Sequence, residues 1–132
     1  MLNSWLFENK NTIIELRHWL HKHPELGFNE FETTTHLQEL LKSVGYNITQ
    51  TPKMKTGFTC EYGSGDGQVL GIRCDMDGLL VQEISDVNYK SINDGVMHAC
   101  GHDAHMTIVT SLALYIREAK LEINGKIKII LE

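Results

Sequence analysis

The chain has 132 residues, with 17 acidic against 12 basic side chains and a formal net charge of −5. That is one domain's worth of sequence, and an acidic balance with no basic cluster argues against a nucleic-acid surface. No apolar run reaches transmembrane length, Met1–Glu8 lacks the pattern of a secretory signal, and an odd three cysteines (Cys60, Cys74, Cys100) without disulfide spacing suggest a reducing cytoplasm.

In chain order, helical spacing of Ile13, Leu16, Trp19 and Leu20 predicts a helix from about Asn9 to His21, ended by Pro24. A second helix is expected from Asn29 to Val44, with Leu37, Leu40, Leu41 and Val44 inward and Gly45 as its stop. Three strands are expected next, at Tyr46–Thr51, Gly57–Tyr62 and Gln68–Cys74. The run Gly63–Gly67 reads as a hairpin loop between the second and third. Residues 81–97 are polar and irregular, as a surface loop would be. A helix should follow from Ala104 to Ala119, with Ile108, Leu112, Tyr115 and Ile116 on its buried side. After an Asn124-Gly125 turn, Lys126–Leu131 alternates like a strand. The order α, α, β, β, β, α, β gives an α/β domain with a mixed sheet flanked by helices. An apolar last strand at a bare sheet edge would invite aggregation. It should therefore pair inside the sheet under the earlier helices, or be covered by further chain; the latter is the expectation.

The segment Met97-His98-Ala99-Cys100-Gly101-His102-Asp103-Ala104-His105 packs three histidines, a thiol and a carboxylate into nine residues. Imidazole, thiolate and carboxylate are the side chains that bind Zn²⁺ and similar ions. Cys100 and His102 stand two apart across a glycine, which lets the chain bend around an ion. The plain alternative is a core cysteine beside helix-capping polar residues. Earlier, Gly71–Gly78 reads as an apolar strand ending in Asp75 and Asp77, and strand ends are where open α/β sheets place their chemistry.

Three segments in this order, His21-Lys22-His23-Pro24-Glu25-Leu26-Gly27-Phe28, Asp75-Met76-Asp77-Gly78-Leu79 and Met97–His105, resemble the metal-dependent amidohydrolases. These include hippurate hydrolase, N-acyl-amino-acid amidohydrolases and auxin-conjugate hydrolases, and are related to aminoacylase and carboxypeptidase-like metallopeptidases. The likeness runs from about Leu16 to Leu131. It implies that residues 1–132 are the N-terminal part of a zinc-peptidase-like catalytic domain, the lid or dimerisation domain and the remaining catalytic segment lying further on. It also implies that Cys100 and His102 are metal ligands. Asp75 would take the place of a ligand histidine in the peptidase relatives without being assigned as a ligand. Asp77 and Asp103 would be carboxylates that orient histidines, and His105 and His98 would lie near the ion or the substrate, or simply cap and pack. His23 and Glu25 belong to a family motif with no derivable chemistry. The complete site would hold two divalent ions, Zn²⁺ or Mn²⁺ foremost, and hydrolyse the amide of a small N-acyl amino acid such as hippurate, with no nucleic-acid or membrane partner. Leu80 and Gly78 depart from the family's proline and alanine, which bears on loop rigidity.

The family's general-base glutamate would follow Glu132, as would further ligands, so no residue here is assigned a catalytic role. The isolated chain is expected to be inactive. A homo-oligomer is the option for the complete protein, since the dimerising region lies beyond this sequence. Two other readings stay open: a non-catalytic metal-binding or interaction module, and a structural α/β domain with an incidental Cys/His loop.

Overall fold

The computed structural model describes all residues from Met1 to Glu132. Helices α1 (Leu2–Glu8), α2 (Lys10–Lys22) and α3 (Phe31–Ser43) precede strands β1 (Ile48–Thr49), β2 (Phe58–Tyr62) and β3 (Ser64–Cys74). Helix α4 (His102–Glu118) and strand β4 (Asn124–Leu131) follow. The sheet order is β1-β2-β4-β3, antiparallel except for the parallel pair β3·β4. This is the mixed α/β layer expected from the sequence. No helix is long and apolar enough to cross a membrane.

Most elements fall within two residues of their expected limits, and five expectations need correction. Helix α1 was not anticipated, because none of its residues is buried. Its anchor is Trp5, whose indole Nε1 donates to Glu118 (2.5 Å) and whose ring meets Tyr115 edge-on. The first strand shrinks to two residues that pair only with β2.

The Gly63–Gly67 run is not a hairpin loop. Strands β2 and β3 lie on opposite sides of β4, and residues 64–67 already belong to β3. Close approach of the chains explains the glycines. A Cβ on Gly67 would sit 2.5 Å from the Asn124 carbonyl oxygen, and one on Gly125 only 2.2 Å from that of Gln68. Gly125 also has φ +127°, which favours glycine there, and with Asn124 it lies inside β4 where a turn was expected. Because β4 is an interior strand, the bare edges are β1 and β3. Val69 and Leu70 on β3 are accordingly exposed.

Helix α4 buries a wider face than the one expected. Ile108 is 65% exposed, while Met106, Val109, Thr110, Ala113, Leu114 and Ile116 are buried. The helix touches α2 and α3 as well as the sheet, so more than one stripe is covered. The core joins Leu20, Leu37, Leu41, Phe58, Met76, Met106, Ile129 and Leu131, all essentially inaccessible. On the outer side of the sheet, Glu61 meets Lys126 and Lys128 in exposed pairs at 3.5 and 3.7 Å. Such pairs contribute little to stability.

The β3–α4–β4 crossover positions the chemistry. Parallel neighbours need a covering connection, and here it begins at the carboxyl end of β3 and re-enters through α4. The ladder runs one step past both strands: Met76 N–H donates to Glu132 O (2.9 Å) and Glu132 N–H to Cys74 O (3.2 Å).

Candidate metal centre

Met76 is fully buried, so the alternation of an extended chain turns its neighbours Asp75 and Asp77 together away from the core. Opposite them is the start of α4. Gly101 is its N-cap with φ +88° and ψ 13°, left-handed values that would strain any side chain. Its carbonyl oxygen accepts from the N–H groups of both Ala104 and His105 (3.1 Å each). The turn at Gly101 brings Cys100 and His102 back over the end of β3.

His102 is held by Asp77 through one nitrogen. Its Nδ1 lies 2.9 Å from Asp77 Oδ1 and 3.0 Å from the Asp77 carbonyl oxygen. A proton shared there leaves the Nε2 lone pair free, the arrangement in which an outer carboxylate orients a metal-binding imidazole. Nε2 is 3.7 Å from Asp75 Oδ2. The Cys100 sulfur is 3.9 Å from the same Asp77 carbonyl, so thiol and imidazole converge on one residue. Cys100 is solvent-exposed, whereas burial pushes the Cys60 and Cys74 thiols up to about 12. Of the three thiols, Cys100 alone is placed where an ion from solvent can reach it.

The donor chemistry fits a divalent ion in part. An exposed thiol and an oriented, partly exposed imidazole both contact Asp77, yet no group of three His, Cys, Asp or Glu side chains forms a set able to hold an ion. Asp75 is engaged by Arg73 at 2.7 Å, and Glu132 by the same guanidinium at 2.9 Å. Beside the carboxylates opens a cleft of about 700 Å³ whose lining includes Gly27, Phe28, Lys53 and Arg73.

The remaining sequence candidates fall elsewhere. Asp103 is fully buried and faces away from His102, toward His21 and Arg17. His105 is exposed, its ring centroid 6.0 Å from that of His102. His98 is buried with neither ring nitrogen hydrogen-bonded, and burial pushes its imidazole below the ordinary range. His23 stacks on Trp19 and its Nδ1 donates to the Trp19 carbonyl (2.7 Å), closing the end of α2. Glu25 accepts from the N–H groups of Glu32 and Thr33 (3.0 and 2.7 Å), so it caps α3. Both residues of that motif thus have structural work at helix ends.

Sequence reasoning missed a buried polar network. His21 Nδ1 lies 2.6 Å from Asp103 Oδ2, and His21 Nε2 lies 3.0 Å from Glu83 Oε1. Arg17 reaches Asp103 at 3.0 Å. Glu83 also accepts from the Ser85 hydroxyl and the Ser91 N–H. Arg17 and His21 stand at i and i+4 on α2, a legible signal. Glu83 sits in an irregular loop, where spacing carries no information.

The Glu83 carboxyl has a pH signature. Burial would raise it, but hydrogen bonds from Ser85, Ser91 and His21 outweigh burial and hold it at about 2. A carboxyl lowered in the folded state contributes stability above its ordinary value of 4.5, and that stability is lost as pH falls towards 2. Urea unfolding at pH 7, 5, 4 and 3 should show this loss in the parent chain, with a flatter dependence in Glu83→Gln. Parallel profiles for the two proteins would contradict it.

Carboxylates thus gather at the carboxyl end of β3, with a thiol and an imidazole at the start of the following helix, the edge at which open α/β domains place their chemistry. The sequence profile of Peptidase family M20/M25/M40 matches residues 71–132, which hold the carboxyl end of β3, α4 and β4. The chain is 38% identical over 121 residues to an N-acetylcysteine deacetylase of Bacillus subtilis, covering 91% of this chain and 32% of that protein. It is 36% identical over 125 residues to an N-acyl-L-amino acid amidohydrolase of Geobacillus stearothermophilus, covering 95% and 34%. It superposes with a TM-score of 0.87, at 38% identity, on the Bacillus subtilis YXEP protein, described as a dinuclear metal binding peptidase from the M20 family. That match covers 92% of this chain and 34% of the other. The chain belongs to the M20 family of metallopeptidases and amidohydrolases. It spans about a third of the length of these relatives.

Proposed function

We propose that this chain supplies the Cys100–His102 side of a metal centre that hydrolyses the amide bond of small N-acyl amino acids. The observation that carries the proposal is the grip of Asp77 on His102 Nδ1, which frees the Nε2 lone pair, while the exposed Cys100 thiol lies against the same Asp77 carbonyl. Two relatives are named for N-acyl or N-acetyl amino acids, which supports that substrate class. A divalent ion, when bound, polarises the scissile carbonyl and makes a bound water more acidic. Asp77 would keep the His102 ring in its binding tautomer, and Cys100 would contribute a soft ligand favouring Zn²⁺ over Mn²⁺. The neighbouring cleft of about 700 Å³ has room for a small acyl amino acid, with Lys53 and Lys55 as the cations on its lining that are not paired with Asp75 or Glu132.

No residue of the chain is proposed as general base. Glu132 is paired with Arg73, and Asp75 and Asp77 are engaged with Arg73 and His102. The centre therefore needs a base and further ligands that these 132 residues do not provide. Free thiols throughout suit a reducing compartment, for which the cytoplasm is proposed, and self-association is proposed for the complete enzyme.

Metal analysis of the purified chain after Zn²⁺ loading, combined with assays on benzoyl-glycine and N-acetylcysteine, tests both halves. The expected result is a loosely held ion, removed by chelator, and no turnover. Turnover by the purified chain would refute the need for an external base. Failure to bind Zn²⁺, Mn²⁺ or Co²⁺ would refute the metal centre and favour a non-catalytic interaction module.

A further inference from the structure

The loop from Leu79 to Cys100 has little regular structure, yet it is tied down firmly. Leu79 and Met97 exchange backbone hydrogen bonds (2.9 and 3.0 Å) at its neck. Its body is fastened to the end of α2: Ile92 N–H donates to Lys22 O (2.9 Å) and the Asn93 amide to Pro24 O (2.8 Å). Tyr89 stacks on His18 with centroids 3.8 Å apart and meets His21 edge-on. Beneath these contacts His21 is 95% buried, with Glu83 of the loop at one ring nitrogen and Asp103 of α4 at the other.

The two partners bracket the donor pair in the chain. Asp103 directly follows His102, and its Oδ1 accepts from the N–H of Ala104 (2.9 Å). Glu83 fastens Ser85 and Ser91 in the loop that leads into Cys100. An imidazole has two nitrogens at fixed separation and angle, so it sets the distance between its partners as a flexible side chain could not. Arg17, from the same helix, adds a second hold on Asp103.

We propose that His21 is a positioning residue for the metal centre: one buried ring on α2 fixes the loop before Cys100 and the helix start after His102. This rests on the reading of Cys100 and His102 as ligands. His21 itself does not touch the ion. It acts as the supporting residues of metal sites do, through the orientation of those that bind.

Cobalt(II) titration of the full chain provides the test, because a thiolate–cobalt absorption band reports Cys100 geometry directly. His21→Gln should weaken Co²⁺ binding by about 10- to 100-fold and alter the band, while far-UV circular dichroism stays that of the parent. If His21→Gln fails to fold, Glu83→Gln loosens one arm of the network and should weaken binding in the same direction. Amide hydrogen exchange at Ala104 and His105 reads the coupling without metal and should accelerate in either variant. Unchanged affinity, band and exchange in a folded variant would overturn the proposal. A parent chain that gives no thiolate–cobalt band would instead refute the metal reading. Exchange at Ala104 would then decide alone whether His21 positions the helix start: acceleration supports the role, and an unchanged rate overturns it.

Discussion

Replacing Asp103 by alanine is expected to destabilise the chain by about 3 kcal/mol, the low end of the range for breaking a buried charged pair. Asp103 is inaccessible and accepts from His21 and Arg17, so alanine leaves a buried imidazole and a guanidinium without their common partner. Arg17 is about a third exposed and can turn to water, which places the estimate low in the range. Urea unfolding should show a midpoint lower by roughly 1 M or more. Asp75 supplies the contrast. It is 38% exposed and pairs with a half-exposed Arg73, so Asp75→Asn should change stability by no more than about 0.5 kcal/mol. Equal effects at the two sites would mean that the buried network does not hold α2 and α4 together.

Cys100→Ser is expected to weaken Zn²⁺ binding by more than the 10- to 100-fold typical of losing a supporting residue, on the order of 100-fold or above. The thiolate is the softest donor available, and serine offers a hydroxyl that remains protonated near neutral pH. His102→Gln should be comparable, since it removes the ring that Asp77 orients. Neither change should unfold the chain, because Cys100 is exposed and His102 only partly buried. Competition with a chromophoric chelator measures both. Retention of parent-like affinity in either variant would place the ion elsewhere. Comparison with His21→Gln separates Cys100 from a residue that positions: loss of the thiolate–cobalt band marks the sulfur ligand, and a retained but altered band marks His21.

The proposed donor pair could be nominated from the sequence because Cys100, His102, Asp75 and Asp77 lie in two short runs of regular spacing, and the structure brings these runs into contact. A two-residue period puts Asp75 and Asp77 on one side of an extended chain, and the Cys-Gly-His turn needs only local backbone geometry. Glu83, His21 and Asp103 were not legible as a unit. They lie 62 and 82 positions from one another's partners, in a loop and two helices, and no local pattern links such separations. Strand order was misread for a related reason. Glycines between two apolar runs ordinarily mark a hairpin, but here they permit close passage of β4 between β2 and β3.

The sequence by itself determined most element types, the mixed α/β class, the three ordered motifs and the proposal of Cys100 and His102 as a donor pair, because periodicity and short-range spacing are local properties of the chain. Tertiary structure alone decided that β4 is an interior strand and that Asp103 turns into the core while Asp77 serves His102. It also decided that His21 joins the two segments flanking the donors. Those outcomes depend on which distant groups share a low-dielectric interior, where every buried polar atom must find a partner, and that pairing is settled only when the layers pack.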